Sequence, residues 1–333
     1  MSNQQAPHIH ADGSARQMTL DVLLAAVPIM VFSAFNYGMR PVYIVLLSMV
    51  SAIVSESICC LLGHRSLRAV LDGSAAVTGA IIGMVMPAMI PYWMPMLGAA
   101  FAIIVAKAPF GGYGRNVFNP AAAGIAILSF CFPKSMFLYP AFATVKVPTD
   151  WMLDPATVIT ESSLAATLRM GAPPALTPLQ LFTGEFAGPI GATATLILLA
   201  CAAFLLVRRT ASPWLIVPYF VTCILIAWLL PLPGMGRGYG VMAQMCAGYV
   251  LFTGVFLLND PVTAPRFWLG RIFYGIFTAM LVMTLQRIGR VESGCCFAIL
   301  IMNTLSPIID RWSWHGLRRA QRLLRIREEV RTR

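Results

Sequence analysis

The 333-residue chain is too apolar to be an ordinary soluble domain. Hydrophobic residues make up 58% of it and charged residues 11%, whereas charged residues make up about 25% of a typical soluble domain. The mean hydropathy of +0.76 instead predicts an all-α polytopic membrane protein. The net charge of +11 does not indicate nucleic-acid binding, because the placement of the charges along the chain matters more than their sum.

Ten apolar segments approach the length of a membrane-spanning helix, which needs about 20 apolar residues. They lie near 19–36, 42–62, 74–90, 92–108, 119–133, 189–207, 213–230, 240–258, 269–287 and 293–309. Five of them fall within 19–133 and five within 189–309. Residues 1–18 are polar and lack the features of a cleavable signal peptide, so we interpret them as an N-terminal arm.

The basic residues predict the orientation of these spans. With the N-terminus in the cytoplasm, 17 of the 24 Lys and Arg residues fall in segments on the cytoplasmic side, and Lys107 is counted among them. Cytoplasmic segments are enriched in Lys and Arg. The sequence therefore predicts a multi-pass membrane protein with both termini in the cytoplasm.

Residues 134–188 form the only long segment outside the apolar runs, and this orientation places them on the extracytoplasmic side. The segment contains several Pro, many Ser and Thr residues, and four acidic residues: Asp150, Asp154, Glu161 and Glu185. Because a loop of this length is uncommon in a compact bundle unless it has a function, we expect a functional site in it.

The last segment, 310–333, has the pattern of a basic amphipathic helix that begins at the membrane surface. Trp312 and Trp314 suit the interfacial belt, and the Arg residues that follow suit anionic lipid headgroups. A docking surface for a cytoplasmic partner is the alternative.

The two groups of five spans share a weak repeat. Asn119–Pro120 interrupts the first group, and Asp260–Pro261 interrupts the second. Because five is odd, the two groups would have opposite orientations, and inverted repeats with broken helices are a common way to build a binding site. Asn116, Asn119, Asn259 and Asp260 could pair the backbone groups that the breaks release. Ordinary helix capping is the alternative.

Charged and thiol side chains inside the spans have two interpretations each. A carboxylate within a membrane is costly and usually functional, so Glu56 is a candidate for an ion path. It could instead be neutral and hydrogen-bonded to neighbouring serines. The eight cysteines are predicted to be packing residues, with an iron–sulfur site from Cys59–Cys60 and Cys295–Cys296 as the alternative. No other metal site is predicted.

Six motifs are spread over nearly the whole chain: "PHIHADGSARQMTLDVLLAAVP" (7–28), "DGSAAVTG" (72–79), "IVAKAPFGGYGRNVFNPAAAG" (104–124), "GPIGATATL" (188–196), "LFTGVFLLNDPVTAP" (251–265) and "CFAILIMNTLSPIIDR" (296–311). Together they closely resemble one family. The family comprises the D subunits of Rnf ion-translocating ferredoxin:NAD oxidoreductases and the B subunits of sodium-translocating NADH:quinone reductases. The length and the short N-terminal arm favour the Rnf type.

The resemblance implies a fold of ten transmembrane helices in two inverted five-helix halves, similar to urea transporters. It also implies FMN held covalently by a phosphoester to a Thr in the extracytoplasmic loop, and in some members a second, noncovalent flavin, riboflavin. The implied partners are the A, B, C, E and G subunits of the Rnf complex, together with a flavin transferase during maturation. The implied activity is electron transfer between ferredoxin and NAD, coupled to Na⁺ or H⁺ transport.

The family's attachment pattern resembles D-x-x-[ST]-x-A-T, and "DPATVIT" matches it best. Asp154, Thr157 and Thr160 stand at the required spacing, and Thr160 is the predicted anchor, although Ile159 replaces the usual Ala. Thr193 in "GAT" is the other candidate, but the Asp and the Ser or Thr of the pattern are absent there. Two minor alternatives follow Thr160: Ser162 and Ser163.

The residues around the two breaks are predicted to form a second site for a flavin or an ion, because helix ends offer hydrogen-bonding groups without a buried full charge. The first break supplies Gly111, Gly112, Gly114, Arg115, Asn116 and Asn119, and the second supplies Asn259, Asp260 and Thr263. The chain has no nicotinamide-binding motif, since "GGYG" lacks the strand–helix setting of such a fingerprint. No complete active site is therefore expected on this chain alone.

Two other functions fit the same pattern. A passive channel or transporter would use the inverted halves for alternating access, but it would not need the Asp154–Thr157–Thr160 pattern. An assembly subunit that has lost its flavin is the third possibility, because Ile159 departs from the attachment pattern.

Overall fold

The structure is a computed structural model that describes residues 15–142, 146–151, 153–289 and 292–331. Most of the predicted N-terminal arm therefore lies outside the described residues. The same holds for the side chains of 317–331, which carry most of the predicted lipid-binding tail.

Helices account for most of the described chain, in the order that the apolar pattern predicts. Before the long loop these are α1 (Ala15–Tyr37), α2 (Arg40–Leu62), α3 (Ser74–Val85), α4 (Trp93–Ile104) and α5 (Pro120–Cys131), with short 3₁₀ turns at Leu67–Asp72 and Ala108–Phe110. The loop contains α6 (Pro133–Met136), β1 (Tyr139–Pro140), a 3₁₀ turn (Pro155–Thr157), β2 (Thr160–Glu161), α7 (Leu164–Arg169) and α8 (Pro178–Thr183). After the loop come α9 (Thr195–Val207), α10 (Pro213–Leu229), α11 (Arg237–Cys246), α12 (Val250–Phe252) continued by a π-helix (Thr253–Leu257), α13 (Trp268–Ile288) and α14 (Gly294–Arg331).

The described helices confirm a polytopic, all-α membrane protein. Five segments are long and apolar enough to cross a membrane: α1, α2, α4 with the turn after it, α13, and Gly294–Gly316 of α14. A sixth would be α11 together with Val250–Leu257, which are bent by 64° at the break between them. The other predicted spans correspond to shorter apolar helices of 10–17 residues: α3, α5, α9 and α10. The ten-span, urea-transporter-like arrangement remains a prediction.

The short helices end where the sequence requires it. Met86 follows α3 in an extended conformation, because the residue before a proline, here Pro87, is disfavoured in the helical region. Helix α5 begins with Pro120 at its first position, where the missing N–H is not needed, and Asn119 caps it.

Helix α3 lies unusually close to α2. A Cβ atom at Gly79 would lie 2.5 Å from the Met49 Cα, and one at Gly83 would lie 2.6 Å from the Val45 Cα. The two glycines are four residues apart and share one face of α3, the arrangement that lets membrane helices pack through their backbones.

The segment before α9 closes the gap left by the short α3. The N–H groups of Ile190 and Gly191 donate to the carbonyls of Met86 (3.0 Å) and Met84 (2.6 Å), and the Ser33 hydroxyl donates to the Ile190 carbonyl. Backbone groups inside a membrane protein must be paired in this way, so residues 188–194 are part of the core.

Arg40 fixes the long loop to the helices. Its side chain is fully buried, and its guanidinium donates to the carbonyls of Pro148 (3.0 Å), Asp150 (2.7 Å) and Ile90 (3.1 Å). The start of α2, the break after α3 and the loop are therefore held together by one side chain.

The two ends of α1 define two opposite faces. Near its start, the Thr19 hydroxyl donates to the Asp72 carbonyl, and at its end the Tyr37 carbonyl accepts from the Val147 N–H of the loop. A helix of this length spans about 34 Å at 1.5 Å per residue. The loop and the connection around Asp72 therefore lie on opposite sides of the bundle.

Helix α14 continues without interruption from Gly294 to Arg331. The predicted basic helix is thus an extension of the last apolar segment. Trp312 is 73% exposed and Trp314 is 42% exposed, as expected of residues at an interface.

Candidate functional site

A cleft of about 710 Å³ opens at the end of the bundle where α1 begins. It lies between the start of α1, the connection before α5 and the segment after the π-helix. Its polar lining comes from both groups of helices: Thr19, Ser74, Thr78, Lys107, Tyr113, Asn116, Asn119, Thr210, Asn259 and Asp260. The two predicted breaks therefore meet at one cleft.

Asn119 joins the two breaks directly. Its Oδ1 accepts from the Ala122 N–H and caps α5, while its Nδ2 donates to the Leu257 carbonyl at 3.1 Å. The Asn303 carboxamide, with its oxygen turned toward Asn119, accepts from the Asn119 N–H at 2.8 Å. Capping, the alternative interpretation of Asn119, is thus confirmed, and the same side chain also bridges the two halves of the chain.

The second break is paired internally. Asp260 accepts from the Val262 N–H (3.1 Å) and the Thr263 hydroxyl (3.0 Å). The Asn259 amide donates to the Gly254 and Val255 carbonyls of the π-helix. Thr263 does not line the cleft and acts only through Asp260. Burial raises the pKa of Asp260, because it disfavours the charged form.

Asn116 presents an unused acceptor to the cleft. Its Nδ2 donates to the Phe118 carbonyl, but its Oδ1 is buried and accepts no hydrogen bond within the described part of the chain. Buried polar atoms are nearly always paired, so this atom is suited to a donor on a ligand.

A second cleft of about 580 Å³ lies next to the first. Lys107 and Tyr113 line both clefts and separate them. Gly111 and Gly112, with φ values of +111° and +93°, line the second cleft. Burial raises the pKa of Tyr113 to about 12, so its phenol stays neutral near pH 7.

Glu56 and Lys107 form a buried ion pair at this boundary. Lys107 Nζ lies 2.5 Å from Glu56 Oε1 and donates to the Ser74 hydroxyl at 2.6 Å. Ser74 in turn donates to Asp72 Oδ1. The Lys107 side chain is only 2% exposed, so its charge is compensated inside the bundle and does not face solvent.

Two of the serines near Glu56 in the sequence bind other groups. Ser51 donates to the Met96 carbonyl and Ser57 to the Ile53 carbonyl. The carboxylate is compensated by Lys107 instead, and its Oε2 is buried without a partner in the described chain.

Two predicted residues of this site stand apart from it. Arg115 and Gly114 are exposed and line neither cleft. The Arg115 side chain folds back near Gly111 instead, since a Cβ atom there would meet Arg115 Cδ at 2.9 Å.

At the opposite face, Thr160 presents an accessible hydroxyl. It is exposed in β2 and pairs with Pro140 of β1, and its hydroxyl donates to no group in the described residues. Asp154 caps the turn before it by accepting from the Ala156 N–H. The Thr157 hydroxyl is already used, since it donates to the Asp154 carbonyl at 2.7 Å.

The competing hydroxyl groups differ in accessibility. Thr193 is fully buried within the core segment before α9, and Ser163 is 4% exposed. Ser163 caps α7 and donates to Glu292. Ser162 is exposed.

Glu292 is a site residue that the sequence pattern did not predict. Its carboxylate is 3% exposed and accepts from Arg169 Nη2 at 3.0 Å, from the Tyr139 hydroxyl at 3.0 Å and from Ser163. Burial raises its pKa. The available signal was an acidic residue in the short "RVESG" connection between two apolar runs.

The described residues contain no group of three or more His, Cys, Asp or Glu side chains that could hold a metal ion. Cys59 and Cys60 line the second cleft, whereas Cys295 and Cys296 are buried in α14. The four thiols therefore do not form an iron–sulfur ligand set in the described part of the chain.

These features define a polytopic helical membrane protein with a polar cleft at one face and an exposed, hydroxyl-bearing loop at the other. The sequence model of the NQR2, RnfD, RnfE family matches residues 2–315. The chain belongs to this family.

Curated relatives agree over most of their length. The chain is 31% identical to the D subunit of the ion-translocating oxidoreductase complex of Cronobacter sakazakii, covering 92% of this chain and 96% of the relative. It is 30% identical to the protein of the same name in Escherichia coli K12, covering 92% and 95%. It is 27% identical to the D subunit of the proton-translocating ferredoxin:NAD(+) oxidoreductase complex of Clostridium ljungdahlii, covering 92% and 93%.

Proposed function

We propose that the chain is a membrane subunit of a redox-driven, ion-translocating complex that carries electrons between ferredoxin and NAD and moves Na⁺ or H⁺ across a bacterial inner membrane. The observation that carries this proposal is membership of the NQR2, RnfD, RnfE family over residues 2–315. Its partners would be the A, B, C, E and G subunits of such a complex. The ten-span inverted fold, with both termini in the cytoplasm, is part of the proposal.

The loop would hold FMN through a phosphoester to Thr160. The fit rests on accessibility: the Thr160 hydroxyl is exposed, whereas a flavin transferase could not reach the fully buried Thr193. Asp154 caps the 3₁₀ turn that precedes Thr160, and the hydrogen bond from the Thr157 hydroxyl to the Asp154 carbonyl stabilises the same turn. When bound, FMN supplies one- and two-electron redox chemistry, and the protein supplies binding and orientation.

The cleft at the opposite face would hold the noncovalent flavin, riboflavin. Asn116 Oδ1 offers the unused acceptor, and Tyr113 and Asp260 offer further polar contacts. Val22, Ile81 and Phe256 supply apolar walls.

Glu56 would belong to the ion path. Its pair with Lys107 separates the two clefts, and Glu56 Oε2 has no partner among the described residues. In the reconstituted complex we expect Glu56→Gln to lower ion transport per NAD reduced. An unchanged ratio would remove Glu56 from the path.

The covalent site is tested by peptide mass spectrometry of the protein produced together with its flavin transferase. We expect an FMN adduct on the peptide that contains 154–167. Thr160→Ala should abolish it, and the matched variants Thr157→Ala and Thr193→Ala should retain it. An adduct lost only in Thr193→Ala would move the anchor to the core segment.

The rival functions predict other results. A flavin-free assembly subunit would show no adduct and no extractable flavin while still co-purifying with the other subunits. A passive channel would transport solute in liposomes without the partner subunits or a reductant. Acid extraction of riboflavin from wild type, reduced by Asn116→Ala, would support the cleft assignment.

A further inference from the structure

A third cleft of about 760 Å³ lies at the same face as the long loop. It is formed by α7 of the loop, by Leu232 and Pro233 after α10, by α11 and by the last turn of α13. The polar side chains that line it are Arg169, Gln244, Gln286 and Arg287. None of these residues belongs to the flavin sites or the ion path proposed above.

The two arginines differ in how their charges are compensated. Arg169 is paired with Glu292 and also donates to the Gly289 carbonyl. Arg287 donates to Gln244 Oε1 at 2.6 Å and to the Leu230 carbonyl. It forms no ion pair within the described residues, so the cleft carries one uncompensated positive charge.

Two buried atoms in this cleft also lack partners. Arg287 Nε is an unused donor, and Gln286 Oε1 is an unused acceptor, within the part of the chain that the structure describes. A buried donor or acceptor without a partner is costly, and a partly buried charge without a counter-ion is more costly still. A ligand with an anionic group and a hydroxyl would satisfy both atoms.

The rim of the cleft indicates where such a ligand comes from. Met170 and Ile288 are each 79% exposed, and Leu230 is 54% exposed. Each is next to, or two residues from, a residue that lines the cleft. Leu230 and Ile288 lie at the ends of the apolar helices α10 and α13. Exposed apolar side chains at the end of a membrane helix lie against lipid, so the cleft is open to the headgroup layer.

We propose that this cleft binds the headgroup of an anionic phospholipid, with the phosphodiester on Arg287 and a headgroup hydroxyl on Gln286. Arginine is suited to this role because its planar guanidinium can donate two parallel hydrogen bonds to a phosphate. The acyl chains extend past Ile288 and Leu230 into the membrane. The bound lipid thereby bridges α7 of the loop to the end of α13.

Native mass spectrometry of the full-length protein in detergent tests this, with phosphatidylglycerol and phosphatidylcholine added separately. We expect wild type to retain phosphatidylglycerol preferentially and Arg287→Gln to weaken that binding about tenfold, the size of a lost charge-assisted hydrogen bond. The matched control is Arg237→Gln, an exposed arginine at the start of α11, which should leave binding unchanged.

Equal loss in both variants, or no loss in Arg287→Gln, would overturn the proposal. Displacement of the lipid by millimolar inorganic phosphate would assign the site to a free anion and would also overturn it. If Arg287→Gln does not fold, the wild-type comparison decides, because equal retention of the two lipids contradicts a headgroup site. Gln286→Leu, which removes the acceptor and no charge, should weaken phosphatidylglycerol more than phosphatidic acid.

Discussion

Lys107 Nζ lies 2.5 Å from Glu56 Oε1, and the two side chains are 2% and 8% exposed. Removing one member leaves the other charge buried without compensation, which costs about 3–5 kcal/mol. We therefore expect Lys107→Met and Glu56→Gln to lower the unfolding free energy in detergent. Lys107→Met should be the more damaging, because a Gln at 56 can still accept a hydrogen bond from Lys107, whereas a Met at 107 offers the Glu56 carboxylate no donor. The double variant should be more stable than Lys107→Met alone.

The control for this pair is Lys134→Met, which removes an exposed lysine from the loop and should change the unfolding free energy little. Additive losses in the double variant would contradict a coupled pair, because coupled charges give a double-mutant cycle that does not sum.

Asn119 connects the helix cap of α5 with the Leu257 carbonyl. Asn119→Ala should lower the unfolding free energy by about 1–2 kcal/mol, since the loss of an N-cap alone costs about that much. Asn119→Ser keeps a capping oxygen and loses only the donor to Leu257, so its effect should be smaller. Thermal unfolding in detergent measures both, and equal effects would show that the bridge to Leu257 contributes the whole loss.

The order of the helices could be predicted from the sequence because it depends on local hydropathy. Each predicted apolar segment coincides with a described helical segment, and the breaks at Asn119 and Asp260 were located by their prolines. Helix length could not be predicted equally well. Met86 ends α3 early, and the gap is filled by residues 188–194, which are more than a hundred positions away.

The partners of individual side chains were harder to predict, because they depend on distant contacts. Lys107 has the sequence environment of a loop residue, and only the fold reveals that it compensates Glu56. Arg40 is likewise fully buried, and its guanidinium donates to three carbonyls that are 50 or more positions away in the sequence. The contacts of Glu292 with Arg169, Tyr139 and Ser163 join the loop to the connection between α13 and α14. No spacing in the sequence indicates these contacts.

The close contact of α2 and α3 makes Gly83 sensitive to substitution. A Cβ atom there would lie 2.6 Å from the backbone of Val45, so Gly83→Ala must push the helices apart. Overpacking of this kind costs about 1–3 kcal/mol, and we expect a corresponding fall in the thermal unfolding midpoint.

Gly238→Ala is the matched control for Gly83→Ala. A Cβ atom at Gly238 would meet nothing within 4 Å, and alanine favours a helix more than glycine does. This variant should be neutral or slightly stabilising. A similar loss in both variants would show that the α2–α3 contact is not its cause.

Glu292 makes the attachment of α7 dependent on pH. Burial raises its pKa above the ordinary value of 4.5, so its contribution to stability is fully present below pH 4.5 and is lost as the pH rises through the raised pKa. Hydrogen-exchange protection factors of residues 164–169 should therefore decrease as the pH is raised from 4.5. Burial raises the pKa of the Tyr139 phenol well above its ordinary value, so this group does not produce the change. Glu292→Gln keeps an acceptor for Ser163 and Tyr139 without titrating, and it should give a flat profile. The same pH dependence in this variant would show that a group outside the cluster controls α7.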